Sequence, residues 1–256
     1  MRTTTRPVTR FPQRTTSPDA VVVEEPMEIR VEGRAMAVTM RTPGDDFDLV
    51  TGFLVTEAVI DGADDLSAMQ HVTDDHNIVD VRLAAGVQAH QDAIDRATRE
   101  LYANSSCGLC GKASIDRVVQ RTKQRAVVPC VNEDALLRMA VVMRSHQPTF
   151  DETGGLHAAA LFDSQEQCLV AREDVGRHNA VDKVIGAAMR EGFDLAQTTL
   201  IVTSRAGFEI VQKAAVAGIG VVAVVGAPTS LAIDLAVSNR MALVGFLRDA
   251  RLNRYA

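Results

Sequence analysis

Two cysteines separated by two residues form the part of this sequence best suited to covalent chemistry. Cys107 and Cys110 lie in a glycine-rich turn just before an amphipathic segment, residues 112–123, which we expect to form a helix. A thiol at a helix N-terminus ionises more easily, because unpaired N–H groups and the helix dipole stabilise the thiolate. Lowering a thiol pKa from about 8.5 to about 7 raises the thiolate fraction at neutral pH from roughly 3% to about half. The motif therefore predicts a nucleophile at Cys107.

Three other interpretations of the C-x-x-C motif stay open at this point. A four-thiolate zinc site needs a second pair of ligands, but Cys130 and Cys168 are isolated in the sequence. A thioredoxin-like dithiol follows a strand, whereas residues 101–106 lack a convincing strand pattern. Two buried, inert cysteines are the third alternative, although flanking glycines and serines favour an exposed turn. We expect no structural metal.

A second group of residues that could bind a ligand follows the predicted strands of the C-terminal half. Ligands of α/β sheets bind at the carboxyl ends of the strands, and helix N-termini with guanidinium groups favour phosphate or pyrophosphate there. The loop at 173–178 follows one such strand, and its His178 is expected to be a general base or a hydrogen-bonding residue at a helix start. The other predicted anion-binding residues are Arg205, Gly207, Thr229, Ser230, Arg248 and Arg251.

The elements that must position these residues fall into two parts. Residues 19–103 predict a small α+β domain, preceded by a disordered or extended arm at residues 1–18. From about residue 156, strands and helices alternate, which implies parallel pairing with right-handed crossovers. Residues 104–256 are therefore expected to form a three-layer α/β domain that carries the cysteines and the anion site. We predict strands at 21–23, 27–31, 35–40, 72, 78–83, 158–162, 168–172, 199–203, 219–225 and 241–247, and helices at 46–60, 89–102, 179–190, 208–217 and 231–238.

Composition limits the classes of function. The net charge of −6 and the sequence pI near 5.5 argue against a general nucleic-acid binder. Four cysteines in 256 residues suit a reducing compartment better than a disulfide framework, so we expect a cytoplasmic protein. The uncharged segment 214–233 contains glycines and a proline that divide it, and we interpret it as buried core rather than a membrane span.

Six blocks that run through most of the chain carry a resemblance to a known family: residues 24–30, 40–44, 105–114, 153–160, 173–186 and 205–235. They resemble the FdhD-type sulfur carriers required for formate dehydrogenase maturation. The resemblance implies a fold like that of cytidine deaminases, although the H-x-E and P-C-x-x-C motifs of zinc deaminases are missing. One departure is Asp45, where the family is expected to have a histidine.

The same resemblance implies a function for the cysteines. A cysteine desulfurase of the IscS type would pass sulfur to Cys107 as a persulfide, and Cys110 would assist its relay or release. The sulfur would go to the molybdenum cofactor in its bis-molybdopterin guanine dinucleotide form, before that cofactor enters formate dehydrogenase. The family's cofactor-binding segment corresponds to an F-x-R-x-x-R pattern formed by Phe246, Leu247, Arg248, Asp249, Ala250 and Arg251.

We therefore expect the desulfurase, the formate dehydrogenase apoprotein and the guanine dinucleotide cofactor as partners, and a homodimer. The alternative is a non-catalytic chaperone that binds the cofactor and the apoprotein. In that alternative the dithiol serves only as a redox switch.

Overall fold

The structure is a computed structural model that describes residues 1–90, 94, 130, 132–248 and 250–256. Cys107, Cys110, Asp249, the predicted helix at 112–123 and most of the predicted helix at 89–102 lie outside the described residues. The described strands form three sheets, of two, four and six strands.

The N-terminal segment is an antiparallel β-hairpin. Its strands, β1 (Thr3–Arg10) and β2 (Thr15–Val22), are rich in threonine, whose branched side chain favours extended backbone. An ion pair of 2.8 Å between Arg10 and Asp19 joins the two strands. The boundary predicted at residue 18 lies inside β2, so the segment does not end there as an independent arm.

The first residues of the hairpin attach it to the rest of the chain. Arg2 forms an ion pair with Asp45, and the N–H of Val23 donates to the carbonyl oxygen of Arg2 at 2.8 Å. Asp45 also lies 3.6 Å from the guanidinium of Arg172. The residue that departs from the expected family pattern therefore has a structural role here, since it binds the hairpin.

The four-stranded sheet packs against the first helix of the chain. Its elements are β3 (Glu25–Val31), β4 (Arg34–Arg41), α1 (Asp46–Thr56), a 3₁₀ turn (Ala63–Asp65), β5 (Leu66–His71) and β6 (Ile78–Leu83). The strand order is β4-β3-β6-β5, and α1 lies on an apolar core formed with this sheet. The helix ends at Thr56 rather than Ile60, because Ala58 adopts a left-handed conformation with φ of 56°. A strand was predicted at Val72, and the observed strand β5 ends just before that residue.

A mixed sheet of six strands forms the centre of the C-terminal part. Its strands are β7 (His157–Phe162), β8 (Cys168–Asp174), β9 (Thr199–Val202), β10 (Val221–Val224), β11 (Ala242–Arg248) and β12 (Arg251–Arg254). The order is β12-β11-β10-β9-β7-β8. The predicted parallel pairing of β9, β10 and β11 is confirmed, and β7 and β8 form an antiparallel hairpin. Their continuous apolar runs are typical of strands covered on both faces.

Helices cover both faces of this sheet. They are α2 (Glu133–Ser145), α3 (Pro148–Thr153), α4 (Arg177–Arg190), a 3₁₀ turn (Leu195–Gln197), α5 (Phe208–Val216) and α6 (Ser230–Ser238). One buried cluster joins α4, α5 and α6 to the sheet, and a second joins α2 to its other face. The predicted α/β class with three layers is thereby confirmed, while the likeness to cytidine deaminases stays a prediction. The sequence analysis identified neither α2 nor α3.

The two parts of the chain meet where α1 crosses α4. A Cβ atom placed on Gly52 would lie 1.8 Å from the carbonyl oxygen of Asp182, and one on Gly186 would lie 1.9 Å from that of Asp48. These glycines therefore allow the two helix backbones to touch. Beside the crossing, the buried Lys213 reaches Asp182 at 2.9 Å. Burial opposes the charge of Lys213, but the carboxylates of Asp182 and Glu57 together outweigh that effect and raise the pKa of the lysine.

Candidate cofactor site

The carboxyl ends of four strands lie at one edge of the large sheet. Strands β9, β10 and β11 are parallel, and β8 runs in the same direction because β7 pairs antiparallel with both β8 and β9. Ligands bind at this edge in sheets of this kind. The structure thus brings the predicted anion-binding loops to a common edge, while their ligand stays a prediction.

The loops after β9 and β10 are held against each other by backbone hydrogen bonds. The N–H of Ala206 donates to the carbonyl oxygen of Ala227 at 3.2 Å, and the N–H of Thr229 donates to that of Ala206 at 3.0 Å. Gly207 directly precedes α5, and Ser230 is the first residue of α6. The Thr229 side chain accepts from the N–H of Ala232, so it caps α6. The hydroxyl of Thr229 is therefore already used within the protein.

The F-x-R-x-x-R segment turns sharply between β11 and β12. Phe246 and Ala250 have φ values of 55° and 56°, and the strand register shifts between Gly245 and Arg248. This bulge buries Leu247, at 1% exposure, and leaves Arg248 exposed opposite Arg251. The segment therefore presents two guanidinium groups at the strand ends.

A cavity of about 920 Å³ opens at the same edge, between the strand ends and the helices α2 and α3. Its size falls within the range of small-molecule sites. Leu247, Arg248 and Ala250 line it. The other described candidates, namely Phe246, Arg251, Arg205, Gly207, Thr229 and Ser230, do not line this cavity. The sequence analysis did not single out the other lining residues, which include Gln147, Phe150 and His157.

The charges at this edge favour an anion. No acidic side chain among the described residues forms an ion pair with Arg205, Arg248 or Arg251, and all three are exposed. His157 is half-buried, and burial followed by the positive charges of Arg177 and His178 lowers its pKa. His157 is therefore neutral at physiological pH and can both donate and accept hydrogen bonds.

A second cavity, of about 830 Å³, lies between the N-terminal hairpin and the small sheet. Arg41 in its wall pairs with Asp46 at 3.0 Å, and Arg2 pairs with Asp45. Because these arginines already have carboxylate partners, they are less suited to phosphate than those at the strand ends.

The loop at 173–178 joins the two parts of the chain. Asp174 is fully buried and accepts from the N–H of Thr42 at 3.1 Å and from Asn179 at 3.0 Å. The buried Lys183 lies 2.8 Å from Asp174. Nε2 of His178 lies 2.7 Å from a carboxylate oxygen of Glu209. The structure therefore assigns Asp174 a structural role, while both interpretations of His178 stay predictions.

The side chain of Glu173 fixes α3 beside the cavity. Its carboxylate is 2% exposed and accepts from the N–H groups of Thr149 and Phe150, at 3.0 and 2.7 Å. These donors belong to the first turn of α3, where N–H groups lack helical partners and negative charge is favourable. Glu173 thus positions the wall that carries Gln147 and Phe150.

Replacing Glu173 by alanine is expected to lower the free energy of unfolding by about 1–3 kcal/mol, because two N–H groups of α3 lose their acceptor. Urea unfolding would measure the change. Glu152→Ala is the matched control, since this exposed glutamate lies on the same helix and should change stability by about 0.5 kcal/mol or less. Equal unfolding midpoints for the two variants would contradict the assignment.

Two described cysteines can be compared with the predicted nucleophile. Cys130 is exposed, and Cys168 lies on β8, where burial raises the pKa of its thiol. A raised pKa reduces the thiolate fraction, so Cys168 is poorly suited to attack sulfur. Cys107 and Cys110 lie outside the described residues, and their roles stay predictions.

Comparison with known proteins decides the family. The sequence profile described as the FdhD/NarQ family matches residues 22–256. The chain belongs to the FdhD/NarQ family. Similar family proteins named "Sulfur carrier protein FdhD" occur in Streptomyces avermitilis (49% identity, covering 94% of this chain and 88% of the relative) and Mycolicibacterium paratuberculosis (48% identity, covering 93% and 90%). The resemblance to the FdhD family is thereby confirmed.

A crystal structure described as a putative formate dehydrogenase accessory protein, from Desulfotalea psychrophila, has a similar fold. The TM-score is 0.77 at 22% identity, with 99% of this chain and 95% of that chain covered. The same fold is therefore retained at low sequence identity. No helix among the described residues of this FdhD/NarQ family member is both long and apolar enough to span a membrane.

Proposed function

We propose that this chain is a sulfur carrier for the molybdenum cofactor of formate dehydrogenase. It receives sulfur from a cysteine desulfurase as a persulfide on Cys107 and delivers it to the bis-molybdopterin guanine dinucleotide form of the cofactor. Membership of the FdhD/NarQ family and the names of its relatives support the sulfur-carrier role.

One observation carries the cofactor part of this proposal. Arg205, Arg248 and Arg251 have no carboxylate partner among the described residues and lie at the strand ends, where Arg248 lines a cavity of small-molecule size. A guanine dinucleotide needs both features: positive charge for its pyrophosphate and an enclosed space for a ring.

The two cysteines supply the chemistry in two steps. The Cys107 thiolate attacks the outer sulfur of the desulfurase persulfide, which forms a new S–S bond and releases the desulfurase cysteine as a thiolate. The Cys110 thiolate then attacks the inner sulfur at Cys107, forming a Cys107–Cys110 disulfide and releasing the outer sulfur as hydrosulfide. Because the two thiols provide the electrons, the sulfur arrives as sulfide, the oxidation state of a metal ligand. A dithiol reductant then restores the carrier.

The proposed partners are an IscS-type desulfurase, the guanine dinucleotide cofactor and the formate dehydrogenase apoprotein. We further propose that the protein acts in the cytoplasm as a homodimer. Light scattering on the purified full chain measures the oligomeric state, and a monomeric mass at micromolar concentration would contradict the dimer.

Mass spectrometry tests the persulfide. The full chain is incubated with a cysteine desulfurase and cysteine, and peptides are then searched for added sulfur. One extra sulfur on Cys107 supports the carrier, whereas a Cys107–Cys110 disulfide that never gains sulfur supports the alternative of a cofactor-binding chaperone with a redox switch. The exposed Cys130 is the internal control, because it should not gain sulfur selectively.

A further inference from the structure

The N-terminal hairpin projects from the rest of the protein. Among residues 5–16 every residue except Val8 is exposed, and Phe11 at the tip is 73% exposed. The ion pair between Arg2 and Asp45 lies at the base of the hairpin and leaves this projecting part in water. An isolated two-stranded hairpin is marginally stable in water, because neither of its faces is packed. The projecting part therefore lacks a surface to pack against.

One face of the hairpin carries no charged side chain. Residues directly opposite each other in an antiparallel pair point to the same face, and the faces alternate along each strand. In the projecting part the uncharged face is formed by the pairs Thr5–Ala20, Pro7–Pro18 and Thr9–Thr16. The charged side chains of the two strands lie on the other face, namely Arg6, Arg10 and Asp19.

The edges of the hairpin are unsuited to pairing with a further strand. The N–H of Val23 donates to the carbonyl oxygen of Arg2, so the even-numbered residues of β1 occupy the hydrogen-bonded pairs. Pro7 and Pro18 then form a pair without hydrogen bonds, and their nitrogen atoms face the two outer edges. Because proline has no N–H to donate, each edge is interrupted at this point. A partner would therefore bind the uncharged face rather than add a strand.

A second surface without a partner lies on the small four-stranded sheet, on the face opposite α1. Val38, Met40 and Val72 are 46%, 48% and 46% exposed there. The strand register brings them together, since Val38 and Ile78 both pair with Glu28, and the N–H of Val72 donates to the carbonyl oxygen of Ile78. Exposed apolar side chains that are contiguous in this way mark interaction surfaces.

The two surfaces have opposite charge. Residues 1–22 contain four arginines and one aspartate, a formal charge of +3. Residues 23–90, which carry the small sheet, contain 14 acidic side chains and four arginines, a formal charge of −10 in a chain whose total is −6. Complementary charge selects which surfaces meet, while apolar contact supplies most of the affinity. A second copy of this chain offers both surfaces at once.

We propose that the hairpin of one copy packs its uncharged face on the exposed face of the small sheet of a second copy, and that the second copy does the same in return. This inference rests on the proposed function, because it supplies the contact for the homodimer proposed above. Such an exchange is two-fold symmetric and gives two identical contacts per dimer. Each copy contributes residues 1–22 and one sheet face, comparable with the roughly 20–30 residues a side of stable interfaces.

A pair of hairpin variants tests which face is used. Thr9→Glu adds a charge to the uncharged face, and Thr15→Glu adds the same charge to the other face, at an exposed threonine equally near the tip. Sedimentation velocity on the full chain measures dimer dissociation. We expect Thr9→Glu to raise the dissociation constant of the dimer by about tenfold or more, because a charge is buried without a partner, whereas Thr15→Glu should change it little. Equal effects of the two variants would overturn the inference.

The sheet face is tested in the same way. Met40→Asp places a charge in the apolar surface and should also raise the dissociation constant by about tenfold or more. Val237→Asp is the matched control, since Val237 is 59% exposed on α6, outside both surfaces, and this variant should dimerise like the wild type. Urea unfolding midpoints close to the wild-type value would show that the variants are folded.

Mixing two weakened variants tests the exchange directly. In a dimer of one Thr9→Glu chain and one Met40→Asp chain, the intact hairpin of the second chain meets the intact sheet of the first. One of the two contacts is thereby restored, so native mass spectrometry of the mixture should show more mixed dimer than either homodimer. A mixture without an excess of mixed dimer would overturn the exchange.

The remaining outcomes separate this inference from the proposed function. Thr9→Glu and Met40→Asp chains that dimerise like the wild type overturn the exchange but leave the homodimer in place. A wild-type chain that is monomeric overturns the exchange and the homodimer together. Sulfur loading on Cys107 by a desulfurase, followed by mass spectrometry in the same variants, tests the carrier separately and should be retained in either case.

Discussion

Replacing Cys107 by alanine or serine is expected to abolish sulfur delivery to formate dehydrogenase while leaving the fold intact. Neither a methyl group nor an unactivated hydroxyl can carry a persulfide, so the loss should be complete rather than partial. The sequence predicts an exposed turn at Cys107, and a residue in such a turn contributes little to stability, so the unfolding midpoint should stay close to that of the wild type. Formate dehydrogenase activity in cells that carry each variant as the sole copy measures the effect.

Two further variants identify what the loss means. Cys110→Ala should give a serious but smaller defect, because a neighbouring thiol assists release without being the first acceptor. Cys130→Ala should have no effect, since this exposed cysteine has no assigned role. Normal formate dehydrogenase activity with Cys107→Ala would remove the persulfide proposal.

The C-terminal sheet could be predicted from the sequence because its strands are buried on both faces. Strands β9, β10 and β11 are short apolar runs that are separated by single helices, α5 after β9 and α6 after β10, and that alternation specifies parallel pairing. The carboxyl ends of parallel strands lie at one edge of a sheet. The predicted topology alone therefore indicated that the loops after these strands would lie close together.

The cavity could not be predicted, because it depends on which helices cover that edge. Gln147 looks like an ordinary polar residue before a proline, and only the packing of α2 and α3 against the strand ends buries it. The local sequence does not indicate α3 by a capping residue either, because the first N–H groups of this helix donate to Glu173 on β8. Tertiary partners of this kind leave no pattern in the local sequence.

The N-terminal hairpin was missed for a related reason. Its arginines and threonines indicated a disordered or extended arm, because basic and polar composition rarely supports a core. The segment is stabilised by the pairing of its two strands and by the ion pair between Arg2 and Asp45 at its base. Asp45 appeared in the sequence only as a departure from the family pattern, and its partner is distant in the chain.

Arg248→Ala is expected to weaken GDP binding by about ten- to a hundredfold. A guanidinium that donates charge-assisted hydrogen bonds to phosphate contributes roughly 1.5–3 kcal/mol, and each 1.4 kcal/mol corresponds to a factor of about ten. Arg251→Ala should act similarly, because the two side chains lie opposite each other in the β11–β12 ladder. Calorimetry with GDP and ADP on the full chain measures both variants.

Comparing the two nucleotides shows which part of the ligand the arginines contact. If Arg248 and Arg251 bind phosphate rather than the base, as proposed, each alanine variant should lower GDP and ADP affinity by the same factor. Arg240→Ala is the control, since this exposed arginine lies between α6 and β11, at the opposite end of the sheet. Unchanged GDP affinity in both variants would remove the phosphate assignment. A loss confined to GDP would instead place a guanidinium against the base, and the F-x-R-x-x-R segment would then contribute to base selection.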